Sequence, residues 1–251
     1  MNDIILFRVT GIPLIQPGDD LPRKLADAMQ PLAPGEGDVL VVAQKIVSKA
    51  EGRLVDLAGV TPSPRAIELA RITEKDPRLI EVILWDTVTV VRTRPGLILV
   101  EDVRGWICAN AGVDRSNVAP ADTDMVLRLP ADPDQSARRV RDALRARLGV
   151  DLGVIVSDSH GRPHRLGTIG VAIGVAGLPG LEDWRGRSDL FGYVLQHTEV
   201  ALADQIASAA TLLLGQAAES VPAVLARGVP HEQRDGSARE LIRPKEMDLF
   251  R

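Results

Sequence analysis

The sequence predicts a mixed α/β (α+β) fold, on three observations. Val39–Ala43 and the largely apolar run Val150–Val156 are rich in β-branched residues, as strands buried on both faces are. Residues 132–148 and 198–215 carry apolar side chains at helical spacing. Thr87–Arg92 and Leu97–Val100 flank Thr93-Arg94-Pro95-Gly96, a hairpin signal.

In chain order, Ile4-Ile5-Leu6 and Val9 read as a first strand, left through a constrained turn at Gly11–Ile15. Pro22 suits a first helical position, and the helix it opens runs to about Gln30, where Pro31 stops it. The strand at Val39–Ala43 leads directly into Gln44–Gly52, where Lys45 and Lys49 share a face if the segment is helical. Such lysines are either a solvated helix start or phosphate ligands after a buried strand, and spacing leaves both open. Pro64 to about Lys75 reads as a helix with Ile67, Leu69, Ala70 and Ile72 inward, and Asp76–Trp85 as a second short one. Gly105–Ala109 is a short strand opening onto Asn110–Asn117, whose Asp114 and Asn117 are either turn formers or contacts to a hard cation and a phosphate.

Asp132-Pro133-Asp134 starts a helix with Ala137, Val140, Leu144 and Leu148 on one stripe and Gly149 as its stop. Three glycines in Thr168–Gly177 imply close backbone approach. Thr198–Gly215 is the second strong helix, with Val200, Ala203, Ile206, Ala207, Ala210 and Leu213 or Leu214 inward and Ser208 off the stripe. Pro222–Ala226 returns as a strand, and residues 229–251 form a charged tail in which only Ala238–Ile242 looks helical. With no repeat or linker, residues 1–251 are expected to form one catalytic unit.

Composition excludes several classes. A net charge of -4 without basic tracts gives no reason to expect nucleic acid. The single cysteine, Cys108, permits no intramolecular disulfide, and no run approaches membrane-spanning length, so a cytoplasmic protein without membrane contact is expected. Neither a Gly-x-Gly-x-x-Gly fingerprint nor a Walker lysine loop is present.

The densest chemistry is Ser157-Asp158-Ser159-His160-Gly161-Arg162-Pro163-His164-Arg165-Leu166-Gly167, read as following the buried strand. Packing alone does not explain so many polar groups together. No glycine-flanked serine elbow or compact histidine set supports a serine nucleophile or zinc. A hard divalent cation fits better: Asp114 and Asp158 are both read at strand-end loops, and magnesium needs only one or two carboxylates when phosphates complete its shell. Arg162 and Arg165 are suited to orienting a carboxylate or phosphate, which points to phosphoryl transfer.

Gln44–Gly52, Cys108–Asn117, Val154–Arg165, Val171–Gly177 and the segment from Arg185-Gly186 to Ala203 together resemble the F420-0:gamma-glutamyl ligase family, in order and spacing, over roughly residues 4–228. The resemblance implies a family-specific fold of mixed sheets with packed helices, neither P-loop nor Rossmann, assembled as a homodimer. It implies GTP as co-substrate, Mg2+ or Mn2+ with K+ as a further candidate, and amide formation between a substrate carboxylate (F420-0 or a related acceptor) and L-glutamate through an acyl phosphate. By matching positions, Asp114 and Asp158 would bind one metal and Ser159 and Gln216 another, with Asp158, Arg162 and Arg165 at the chemistry. Ile12, Pro13, Leu14, Ile15, Gln44, Lys45, Lys49, Asn117 and the run Leu214, Gly215, Gln216, Ala217, Ala218, Glu219, Ser220 and Val221 would hold GTP. Three departures from the family pattern, Ser159 for threonine, Thr168-Ile169-Gly170 for a polar pair, and Arg104 for histidine, bear on the acceptor rather than on metal or GTP. Alternatives are an amide ligase on another acceptor, a nucleotide or deazaflavin binder, and a metal-dependent phosphohydrolase.

Overall fold

The computed structural model describes residues 3–120 and 122–249. Outside the described residues lie Met1, Asn2, Ala121, and Phe250 and Arg251 of the charged tail. In chain order the strands are β1 (Ile5–Arg8), β2 (Val39–Ala43), β3 (Leu54–Asp56), β4 (Thr87–Arg94), β5 (Leu97–Asp102), β6 (Ile107–Ala109), β7 (Met125–Leu127), β8 (Gly153–Arg162), β9 (Arg165–Ala176), β10 (Glu182–Asp183), β11 (Glu199–Val200) and β12 (Ala223–Arg227). The helices are α1 (Leu21–Met29), α2 (Gln44–Ala50), α3 (Pro64–Thr73), α4 (Pro77–Leu84), α5 (Pro133–Leu148) and α6 (Leu202–Leu214). This is the mixed α+β class that the apolar runs and helical stripes predict.

The largest sheet has the order β1-β12-β2-β8-β9. Its central strands are apolar on both faces because both are covered. Leu40, Val42, Val154 and Val156 pack with α1 and α5, whereas Val39, Val41 and Ile155 pack with α6. Each such side chain, fully withdrawn from water, contributes about 1.5–3 kcal/mol. A third core joins α3 and α4 to the β4-β5-β6 sheet through Leu69, Ile80, Ile83, Ile98 and Val100. Side-chain caps start the helices at Asp20, Ser63, Asp76 and Asp132, each accepting a backbone N–H of the first turn.

Strand direction matters most for function. β2 and β8 are parallel, with Ala43 opposite Ser157 where both leave the core. β12 runs antiparallel to β2 with Ala223 beside Val42, and β1 antiparallel to β12 with Arg8 beside Val224. One edge of the sheet therefore gathers the turn after β1, the start of α2, the middle of β8 and the loop from α6 to β12. In open α/β sheets, the crevice beyond such strand ends is the usual ligand position.

Four expectations need correction. The polar stretch is not a loop after a strand: β8 continues to Arg162, β9 begins at Arg165, and only Pro163-His164 turns, with His164 at φ 62°. Asp158 thus sits within a ladder, opposite Val171, and the period-two alternation of the stretch reflects it. On α3, Ile67 and Ile72 are 42% and 46% exposed, and the buried face is Ala66, Leu69, Ala70 and Thr73. Those positions form one helical stripe, and Thr73 enters it because its hydroxyl donates to the Leu69 carbonyl. Thr198–Val200 are not helical: β11 pairs Val200 with Glu182, and α6 starts only at Leu202. The helical turn expected in the tail is present as a 3-10 helix, Ala238–Leu241, but it is not alone there, since Lys245–Met247 forms another.

The glycine reading of β9 holds. A Cβ on Gly170 would lie 2.5 Å from the Ala207 carbonyl oxygen of α6, and one on Gly174 would meet the Pro133 carbonyl at 2.5 Å from its carbon. Ile169-Gly170 is therefore a position of close strand-to-helix packing, not an open acceptor surface. Ser208, off the apolar stripe of α6, donates to the Gly170 carbonyl at 2.7 Å. Arg104 is also structural: with Arg53 and Arg128 it surrounds buried Asp86, and it pairs with buried Asp102 at 2.9 Å.

Candidate active site

A cavity of about 650 Å³ occupies the sheet edge where these segments meet. Its walls include Ile12-Pro13-Leu14-Ile15, Gln44-Lys45, Lys49, Asn117, Ser157-Asp158-Ser159 and the whole of Leu214–Val221. Every residue read from the sequence as a nucleotide contact lines it. Both lysines of α2 and a carboxylate of β8 stand in its walls.

The polar groups here are already ordered by one another. Lys45 Nζ lies 2.7 Å from Asp114 Oδ2 and donates to Ser116 Oγ at 2.7 Å. Ser116 in turn donates its N–H and hydroxyl to Asp114 Oδ1 at 2.8 and 3.0 Å. Burial alone would raise the Asp114 pKa, but Lys45 and the Ser116 N–H hold it below the usual carboxylate range. Lys49 donates to the Asn117 carbonyl at 2.8 Å, and burial, reinforced by repulsion from Lys45, lowers its pKa.

Asn117, at φ 56°, reaches across to the far wall, its side-chain amide donating to the Ala217 carbonyl at 2.7 Å. On that wall Glu219 accepts from the Ala217 N–H at 2.7 Å, and Gln216 donates to Ser159 Oγ at 3.0 Å. Gln44 is buried and accepts from Ser48 at 2.9 Å, so its side chain supports α2 while its backbone borders the cavity.

Three assigned residues stand apart from the cavity wall. Asp114 is held behind Lys45, bridging to Leu127 through its backbone. Arg162 and Arg165 flank the turn of the β8–β9 hairpin, where Arg162 donates to the Gly167 carbonyl at 3.1 Å. Because β8 stays extended, Arg162 is roughly 13 Å along the strand from Asp158.

Sequence reasoning missed His160. Its Nε2 is 3.0 Å from Asp158 Oδ2, and its ring lines a second cavity with Asp204 and Trp106. Burial opposes protonation of His160, yet the hydrogen bond to Asp158 leaves its pKa raised. Residues two apart on a strand share a face, so reading 153–162 as a strand would have paired the two.

Among the described residues, no group of three or more His, Cys, Asp or Glu forms a ready-made metal cage. The donors instead suit a hard cation that takes one or two carboxylates and completes its shell with phosphate oxygens and water. Asp158, with Oδ2 taken by His160, and the Ser159–Gln216 pair stand at the cavity, while Asp114 is accessible to a metal only by exchange of Lys45.

The family model for F420-0:Gamma-glutamyl ligase matches residues 10–228. A coenzyme F420:L-glutamate ligase of Methanopyrus kandleri is 47% identical over 258 residues, covering 100% of both chains. Proteins of that name from Methanothermobacter thermautotrophicus and Methanocaldococcus jannaschii are 44% and 41% identical, covering 99% of this chain and 99% of the relative, and 96% and 94%, respectively.

Proposed function

The chain belongs to the F420-0:gamma-glutamyl ligase family, and from that premise we propose that it joins L-glutamate to a carboxylate acceptor, F420-0 or a close relative, at the expense of GTP and with a divalent metal. The observation that carries the reading is the convergence at one sheet edge of Lys45, Lys49, Asn117 and Asp158 around a cavity large enough for a nucleotide. The names of the relatives supply L-glutamate and coenzyme F420.

Amide formation from a free carboxylate is slow because the oxygen leaves poorly. An acceptor oxygen attacks the γ-phosphorus of GTP, the bond to the bridging oxygen breaks, and GDP departs with the electron pair. The glutamate nitrogen then attacks the acyl carbon, the C–O bond to phosphate breaks onto phosphate, and the amine gives up a proton. Lys49 and Lys45 neutralise the phosphates, and Asn117 and Gln216 fix the walls that hold them. Asp158, with Asp114 once Lys45 releases it, would hold one divalent metal and Ser159 with Gln216 another, and Mg2+ or Mn2+ there would supply charge stabilisation to the transferring phosphoryl group.

Incubation with GTP and Mg2+, with and without F420-0 and L-glutamate, tests the reading by GDP release and product mass. Glutamate-dependent GDP release with a glutamyl adduct is expected. GDP release indifferent to any amine would establish a phosphohydrolase instead, and no release a binding protein. Asp158→Asn is expected to abolish GDP formation while leaving the melting temperature near that of the wild type, and normal turnover in that variant would sink the metal assignment.

A further inference from the structure

We propose that the smaller cavity beyond the Asp158–His160 pair is the subsite for the attacking amino acid, with its ammonium group at Asp204 and its α-carboxylate at Arg243. The inference rests on the ligase reading above and deepens it. This cavity, of about 220 Å³, is lined by Trp106, His160, Ala172, Asp204, Ile242 and Arg243, with Asp248 also on its rim. Its volume equals that of about seven waters, which admits a small amino acid and excludes a nucleoside triphosphate.

Position is the first argument. His160 lines this cavity and Asp158 lines the larger one, and the two side chains are joined by a 3.0 Å hydrogen bond. This hydrogen-bonded pair joins the walls of the two cavities, so their occupants would approach each other there. A ligase that transfers a phosphoryl group in one compartment and then admits an amine needs such an adjacency.

Chemistry is the second. Asp204 accepts the Ala172 N–H at 2.8 Å through Oδ1, and among the described residues it has no ion pair and no hydrogen bond to Oδ2. It is a half-buried carboxylate with no lysine or arginine paired to it among the described residues; burial pushes its pKa up, against the opposing effects of the Ala172 N–H and of His160 nearby. An ammonium group placed against Oδ2 would offset that desolvation. Arg243 likewise forms no ion pair among the described residues, although it borders the same space. A guanidinium takes a carboxylate bidentately, while Trp106 and Ile242 offer apolar surface to a short aliphatic stem. The cation site and the anion site of a zwitterion are thus supplied by α6 and by the C-terminal segment, which pack in one core cluster.

The experiment compares wild type with Asp204→Asn and Arg243→Gln in the full chain. It measures KM for L-glutamate and for GTP, together with hydroxamate formed when hydroxylamine replaces glutamate. Hydroxylamine traps the acyl phosphate without needing either charged contact. Each variant is expected to raise the glutamate KM by about tenfold or more, the loss of one hydrogen bond to a charged group, with the GTP KM within about twofold and hydroxamate formation falling far less than glutamate ligation. An unchanged glutamate KM in both variants, or equal loss of ligation and hydroxamate, would overturn the proposal. Arg243 is exposed, so its variant decides the matter if Asp204→Asn does not fold. Should wild type release no GDP, the ligase reading itself fails; calorimetric titration of L-glutamate into wild type and Arg243→Gln then tests the subsite separately, with binding lost in the variant expected and no wild-type binding against it.

Discussion

Lys45 stands on a carboxylate that the proposed metal needs, and this makes the effect of removing it opposite for the two ligands. The Lys45–Asp114 contact is 2.7 Å, with side-chain exposures of 25% and 34%. Coulomb's law gives roughly 1.5 kcal/mol at that distance in bulk water and about 6 kcal/mol at an effective dielectric of 20. Partial exposure and the entropy of holding a lysine put the net value toward the lower end, about 1–2 kcal/mol. A cation binding at Asp114 must first break this contact. Lys45→Met removes that competitor while retaining most of the aliphatic stem, so metal affinity without nucleotide should rise by roughly tenfold, the equivalent of about 1.4 kcal/mol. The same change removes a positive charge from the phosphate region and should weaken GTP binding. Titration of Mn2+ followed by electron paramagnetic resonance, and calorimetry with GTP, read the two effects independently. If Lys45→Met binds Mn2+ no more tightly than wild type, the lysine is not a competitor and the exchange at Asp114 is wrong.

Gly170→Ala should destabilise the fold by about 3 kcal/mol or more, read as a fall in denaturation midpoint, because its methyl group would meet not only the Thr211 hydroxyl but also the α6 backbone at Ala207, which cannot turn aside. Asp86→Asn should cost about 3–5 kcal/mol by leaving Arg53, Arg104 and Arg128 without their shared anion. Burial would raise the Asp86 pKa, but these arginines lower it below its unfolded value; its stabilisation is present above about pH 4 and lost as pH falls through the folded pKa. Acid unfolding monitored by circular dichroism should therefore be less steep in the variant. Burial, with Asp102 and Asp158 nearby, pushes the Cys108 thiol up to about 12, so a disulfide reagent at pH 8 should label it only after denaturant is added.

Much of the fold was legible because burial on both faces leaves a pattern that few other structures share. Val39–Ala43 reads as a central strand from composition alone, and its covered position in the sheet is the reason. The helix from Pro133 was equally plain, since Asp132 caps it and Gly149, at φ 73°, ends it. Short strands such as β3 and β7 were not, because three residues carry no periodicity and their pairing is set by distant chain. The same distinction applies to the site. Asp114 and Asn117 announce themselves as polar groups near a glycine and Asp158 by the density of polar groups around it, whereas Asp204 does not, lying in the first turn of α6 where an acidic residue ordinarily serves the helix dipole.

What the structure adds is the coupling of such residues through the sheet. Parallel β2 and β8 bring the lysines of α2 to the level of Asp158, antiparallel β12 returns the Leu214–Val221 loop to the same edge, and edge strand β9 carries Ala172 against Asp204. No local sequence window contains these relations, since each joins segments dozens of residues apart. They also explain why the polar stretch must be a hairpin ladder rather than a loop. In a ladder Asp158 and His160 point to one face and are held in register by Val171 and Ile169, so a carboxylate and an imidazole can join the walls of two cavities in a fixed geometry. A mobile loop would leave that junction to fluctuate, and the two halves of a phosphoryl-then-acyl transfer would lose their shared boundary.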